Sequence, residues 1–259
     1  MKKILKYLPA ILLANQIVAQ SISDSVPSKK LDEFVLKAIR VSENSPVAYE
    51  DIFKEDLEKI NHGVDIPILL DQATSVVTTS DAGAGVGYTG IRVRGSDATR
   101  VNVTINGIPL NDSESQGTFW VDLPDLSSST NDIQIQRGVG TSTNGAGAFG
   151  ASINLSTFNT VDASSPYGEI SNSFGSFNTQ KNTLKLGTGL IDGKWNFEGR
   201  LSRIVSDGFI DRASADLNSY YLSGTYLGKK SSIRAIAFSG HETTYQAWYG
   251  APLRLIEND

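Results

Sequence analysis

The pattern of hydrophobic and polar positions changes character about two-thirds of the way along the chain. From Ser45 to Thr157 short runs of different period follow one another, as in a mixed α/β globule. Pro46 to Glu50 reads as a short strand. Phe53, Leu57 and Ile60 then fall on one face of a short helix that stops at Gly63. Asp65 is placed to cap a second helix, with Pro67 in its first turn and Ile68, Leu69 and Leu70 inside. Val76 to Thr79 reads as extended. Ile91 to Arg94 and Val101 to Ile105 alternate strictly and predict strands, the second closed by an Asn106-Gly107 turn. Ile133 to Arg137 alternates again up to Gly138, and Ile153 to Leu155 gives one more strand.

After Ser164 strand-like stretches of about ten residues recur between polar turns, the pattern of an outer-membrane barrel wall. Tyr167 to Phe174 is the first and Asn178 to Leu190 the second, with Leu184, Leu186 and Leu190 on one face and Thr183, Lys185 and Gly187 on the other. Asp192-Gly193 turns into Trp195 to Ser206. There Trp195, Phe197 and Leu201 alternate with Asn196, Glu198, Arg200 and Ser202, which predicts apolar residues outward and polar residues inward. Ser219 to Leu227 follows, with Tyr220, Leu222 and Tyr226 on one face. In Ser232 to His241 the faces stay open, because Arg234 shares one with Ile236 and Phe238. A small barrel closes with about eight strands, so these stretches are expected to be part of a longer wall and the sequence part of a longer polypeptide.

The first twenty residues carry Lys2, Lys3 and Lys6, then an apolar run from Leu8 to Val18 and a small residue at Ala19. That is the layout of a secretory signal, shorter than a spanning helix. A stretch of 21–44 follows as a polar tail holding one apolar patch, Leu31 to Arg40. Its periodicity leaves open whether the patch begins the next domain or adds a strand to a partner's sheet edge. Composition narrows the chemistry. With 23 Lys and Arg against 28 Asp and Glu the net charge is -5, and no basic patch suits nucleic acid. There is no Cys and there are only two His, His62 and His241, well apart, which argues against thiol chemistry, disulfides and a zinc site. No cofactor is implied.

The remaining motifs have bland alternatives. Gly83, Gly85, Gly87 and Gly90 imitate a dinucleotide loop, but the strand at Ile91 follows where a helix N-terminus is needed, so a flexible loop is expected. Gly145 to Gly150 also precedes a strand and suits close backbone packing. No nucleophile elbow surrounds any Ser. Asp122 and Asp125 flank a proline and read as caps of the Leu126 segment. Arg92, Arg94, Arg100 and Arg137, on strands beside glycines, are expected to pair with carboxylates of a surrounding wall rather than to bind an anion. Phe119-Trp120, in a polar loop, suits a folded-back core and a binding platform equally.

Two long ordered motifs carry a family resemblance. Gly90-Ile91-Arg92-Val93-Arg94-Gly95 with Arg100 to Pro109, and Ile133 to Gly138 with Gly145 to Leu155, resemble the signatures of TonB-dependent receptor plug domains. The resemblance, covering about 31 to 250, implies an α/β plug domain followed by the first antiparallel strands of an incomplete transmembrane β-barrel: signal peptide 1–20, periplasmic tail 21–44, plug 45–160 and barrel 161–259. It implies location in a Gram-negative outer membrane and binding of a scarce nutrient rather than catalysis. The short tail favours a ferric siderophore or ferric-citrate-like chelate over a glycan or cobalamin, and a secreted β-rich adhesin is the rival of another class. It also implies energy from the inner-membrane protein TonB, engaged through a box for which Glu33, Phe34, Val35, Leu36 and Lys37 are the candidates. Ligand contacts are expected at Tyr88, Gln116, Phe119, Trp120 and Trp248. The chain departs from the family pattern at Gln136, where Glu is frequent, and at Ala151, where Gly is frequent.

Overall fold

A computed structural model describes residues 40–41, 45–140, 144–145, 147–157, 165–245 and 251–257. The expected box at 33–37 and Trp248 lie outside them.

The first body is a small α/β globule. Its sheet runs β1-β6-β7-β4-β5, from β1 (Ala48–Phe53), β4 (Val101–Ile105), β5 (Ile108–Pro109), β6 (Asp132–Arg137) and β7 (Ala151–Ser156). β4 and β7 are parallel, and the other pairings antiparallel. A separate hairpin joins β2 (Val76–Ser80) to β3 (Thr89–Val93). Two short helices, α1 (Lys54–Ile60) and α2 (Ile66–Leu69), lie between β1 and β2. Strict alternation on β4, β6 and β7 puts Val101, Val103, Ile105, Ile133, Ile135, Ile153 and Leu155 on one face. They form one core with Leu57, Leu69, Leu70, Val93, Trp120 and Leu126.

Two details depart from the sequence reading. β1 starts at Ala48 and keeps Phe53, which pairs with Asp132; Phe53 therefore leaves the helix face and is exposed, and Leu57 alone anchors α1. Asp65 occupies the N-cap position of α2, but its carboxylate makes no capping bond and accepts from Thr89 Oγ1 at 2.9 Å.

The second body is a single antiparallel sheet in chain order: β8 (Tyr167–Phe174), β9 (Gln180–Gly187), β10 (Trp195–Ser206), β11 (Ala215–Leu227) and β12 (Ser232–Thr244). The register aligns Ile170, Leu184, Leu201, Tyr220 and Ser239 in one row across the strands, and Asn172, Asn182, Arg203, Asn218 and His241 in the next row on the same face. Leu186, Phe197, Leu222, Trp195 and Ile233 share that face and are exposed. The opposite face carries Lys181, Thr183, Arg200, Ser202, Ile204, Leu217, Tyr221, Ser223 and Thr225, all buried. The apolar-out, polar-in alternation of β10 is thus observed. It also settles β12: Arg234, Phe238 and Glu242 stand opposite the inward Thr225, Tyr221 and Leu217, so they point inward. Trp195, Phe197 and Tyr226 gather at the lower rim, with the Trp195 and Tyr226 rings 4.6 Å apart, as an aromatic girdle would. Among the described residues no helix is long and apolar enough to cross a membrane, which says nothing of strands. A short helix, α3 (Leu253–Ile256), ends the described chain.

Candidate functional site

The buried inward face of the second sheet is covered by the globule, and the junction between them is organised around one carboxylate. Asp125 stands in left-handed backbone (φ 52) at the start of a 3-10 turn, Leu126–Ser129. The expectation that it caps this turn fails: its side chain makes no capping bond there. It reaches the wall instead. Lys181 Nζ on β9 lies 2.9 Å from Oδ1, and Arg200 Nη1 on β10 lies 3.2 Å from Oδ2. Thr183 Oγ1 and Ser202 Oγ donate to Oδ2, and Ser128 Oγ donates to Oδ1. The Asp125 side chain is 1% exposed, that of Lys181 2% and that of Arg200 4%. Burial alone would push the Asp125 carboxyl up; the neighbouring Lys181 and Arg200 charges and the Ser hydroxyls outweigh it and hold the group at about 2.

The cations are satisfied beyond the carboxylate. Lys181 Nζ also donates to Asn61 Oδ1 and to Ser128 Oγ, each at 2.8 Å. Arg200 Nε donates to Ser129 Oγ at 2.7 Å, and Nη1 to Ser219 Oγ at 3.0 Å. Every group in this knot therefore has the partners that a buried charge requires. Gly63 makes the approach of Lys181 possible: it adopts φ +106, and a Cβ there would sit 3.1 Å from the lysine Cβ.

Further contacts fasten the same face. Tyr221 Oη donates to Thr157 Oγ1 at 2.8 Å, and Lys185 Nζ approaches Glu58 at 3.9 Å. Near the upper rim the loop between β2 and β3 is not free, as the sequence suggested. Gly83, Gly85 and Gly87 take positive φ, and Val86 is fully buried against Ile204, Ala215 and Leu217. Phe209 and Ile210 of the β10–β11 loop donate backbone hydrogen bonds to Ala82. Below the knot a cavity of about 50 Å³ is lined by Lys54, Ser129, Tyr167, Lys185, Glu198 and Tyr221, room for little more than water. A groove of about 610 Å³ is on the outward face between Leu201, Tyr220 and Arg203. Burial raises Asp65 well above the usual carboxylate range; the Thr89 hydrogen bond opposes this, and the Glu242 and Asp125 charges add to it.

A globule held by a buried ionic knot to the polar face of a sheet that is apolar outside has a clear counterpart among known proteins. Residues 41–152 match the family model described as "TonB-dependent Receptor Plug Domain". This segment is similar to the plug domain of TonB-dependent receptors. The strands that follow it, β8–β12, form an unclosed portion of a barrel wall. Among solved structures the chain resembles FpvA of P. aeruginosa bound to a heterologous pyoverdine (TM-score 0.62, 14% identity, 76% of this chain and 25% of that one). It also resembles the siderophore receptor PirA from Acinetobacter baumannii (TM-score 0.59, 16% identity, 76% and 32%). A third is the copper transporter OprC (TM-score 0.61, 12% identity, 78% and 31%). The chain spans between a quarter and a third of the length of these structures. At such identities the likeness is one of fold. No curated protein sequence matches the chain.

The expected site residues fall in different places. Trp120 is 3% exposed and belongs to the plug core, so it leaves the set of ligand contacts; its neighbour Phe119 is 50% exposed. Tyr88 is half-buried and lines a small cleft with Ala82, Ser214, Thr244 and Tyr245 at the upper rim. Gln116 is exposed in a separate loop and donates its amide to Ser113 O at 2.9 Å. Arg137 pairs with Glu50 at 2.8 Å inside the plug, across the β1–β6 ladder, rather than with the wall. Arg92, Arg94 and Arg100 are exposed. The central wall contact, Asp125 with Lys181 and Arg200, is not among the expected residues. Lysine and arginine on the inward face of a wall strand, the pattern of Lys181 and Arg200, were the available signal.

Proposed function

We propose that the chain is the N-terminal part of an outer-membrane receptor that binds a ferric siderophore or ferric-citrate-like chelate and imports it with energy from TonB. The observation that carries this reading is the Asp125 knot: a water-soluble globule has its binding charges matched to the inner face of a lipid-facing sheet. In this reading the upper rim faces the outside. Tyr88 and Phe119 meet ligand there, with Trp248 and Gln116 as further contacts, and the aromatic girdle of Trp195 and Tyr226 marks the periplasmic boundary. Glu33 to Lys37 add a strand to TonB, and Arg92, Arg94 and Arg100 face other parts of the wall. The similar structures, a pyoverdine-bound receptor, a siderophore receptor and a copper transporter, favour a metal or its chelate as cargo.

The test is uptake of radioactive iron by cells carrying the intact receptor gene or its deletion, supplied with ferric citrate, a catecholate or a hydroxamate chelate. Uptake of one chelate should vanish in the deletion and in a strain lacking TonB. Equal uptake of all chelates in both strains, with growth on a glycan or cobalamin impaired instead, would move the cargo to another nutrient. Recovery of the protein outside the membrane fraction would support an adhesin.

A further inference from the structure

The second face of the plug sheet is unusual, being polar and yet buried. Asn102, Thr104, Gln134, Gln136, Ser152 and Asn154 lie on it, opposite the apolar core, each no more than 4% exposed. Buried amides need partners, and here several of them join end to end. Asn144 Nδ2 donates to Gln136 Oε1 at 2.8 Å, and Gln136 Nε2 donates to Gln134 Oε1 at 2.9 Å. Gln134 then treats the incoming chain as a neighbouring strand would. Its Oε1 accepts from the Val41 N–H at 2.9 Å and its Nε2 donates to Val41 O at 3.1 Å, while also donating to Asp51. Beside it Arg40 pairs with Asp132 and donates to Asn154 O. Direction matters in such a chain. Because Gln136 donates to Gln134 Oε1, that oxygen is fixed on the side where Val41 needs an acceptor.

We infer that Gln136 and Gln134 form an amide catch that holds Val41, next to the ion-paired Arg40 at the root of the N-terminal tail, on the plug, and that opening the catch makes the tail available. The second half of this rests on the reading of 33–37 as the TonB-engaging box. In place of Gln136, a glutamate would have no N–H to give Gln134, and its charge would be buried beside the Gln134 oxygen. With glutamine the Gln136–Gln134 link itself is uncharged, and the charged groups beside it are Asp51, which accepts from Gln134 Nε2, and the Arg40–Asp132 pair.

Hydrogen exchange of the intact receptor, with rates normalised to an unstructured chain, tests this. In Gln136→Glu at neutral pH the Val41 amide should exchange about tenfold faster, as loss of a single hydrogen bond's protection implies. The amides of Ile133 and Ile153 should stay protected. Acidification should restore protection at Val41 in Gln136→Glu, because the protonated carboxyl is a donor again. Gln134→Met should expose Val41 at every pH. Binding of purified TonB periplasmic domain should rise several-fold in both variants. Unchanged exchange at Val41 in Gln136→Glu and Gln134→Met, with the core protected, overturns the catch. Faster exchange at Val41 with no TonB domain bound by any variant overturns the role of the tail instead and leaves the hold on Val41 standing. Should Gln136→Glu lose core protection and fail to fold, Gln134→Met decides alone.

Discussion

A carboxylate 1% exposed between a lysine and an arginine that are buried as deeply is a liability unless every lone pair and proton has a partner. Asp125 meets that condition with hydroxyls from both the plug and the wall, and its value is conditional on the whole set. Asp125→Ala should cost about 3–5 kcal/mol, because Lys181 and Arg200 would stay buried without their anion; urea unfolding of the intact protein in detergent measures it. The acid limit follows from the same group. Its folded pKa of about 2 is below the ordinary 3.8, so its contribution is complete above 3.8 and is lost as pH falls toward 2. The stability gap between the native chain and Asp125→Asn should therefore close over that window. A gap that stayed constant from pH 5 to pH 2 would mean the carboxylate is not what holds the cations. The neighbouring aromatics divide as sharply. Trp120→Ala should lose about 3–5 kcal/mol as a core cavity, whereas Phe119→Ala, half exposed, should leave stability nearly unchanged and lower only chelate affinity. Calorimetry and ligand titration on the two single variants separate these effects.

At the scale of elements, strict alternation was the legible signal. β4, β6, β7, β8 and β10 appear where the pattern put them, because a strand with one face in a core has no choice of register. Boundaries were less legible where a partner strand extends the ladder. β11 begins at Ala215 and β12 runs to Thr244 because they pair with each other over their full length, a fact that neither segment carries alone. The faces of β12 were unreadable for the same reason: Arg234 looked misplaced until Thr225 opposite it supplied an acceptor at 2.8 Å. The plug's wall contacts were hidden by loop context. Asp125 follows a proline as a helix cap would, and only the folded chain brings it to Lys181, distant in sequence. The element-scale prediction concerns β10. Leu201→Arg, on the outward face, should cost about 2–4 kcal/mol if that face is in hydrocarbon, read as a lower fraction folded into lipid vesicles. Asn196→Ser, on the inward face, should insert normally.

For the whole molecule, the two bodies explain each other. The wall sheet has an inward face too polar to form a core by itself, and the plug supplies hydroxyls, an amide and the Asp125 carboxylate to complete it. The outward face changes from Leu184, Leu201 and Tyr220 to Asn182, Arg203 and Asn218 from one row to the next, as a surface crossing from hydrocarbon to headgroups would. Docking of the plug and insertion of the wall are thus one arrangement, in which the alternation along β10 must report lipid on one side and plug on the other.

Site-directed spin labelling along β10 of the intact receptor in native outer membranes tests that arrangement most directly. Labels at Phe197 and Leu201 should be relaxed by oxygen dissolved in lipid and shielded from a water-soluble nickel chelate, while labels at Asn196 and Ser202 should be shielded from both by the plug. Equal access of the nickel chelate to both faces would contradict the account, because β10 would then be part of a water-exposed sheet.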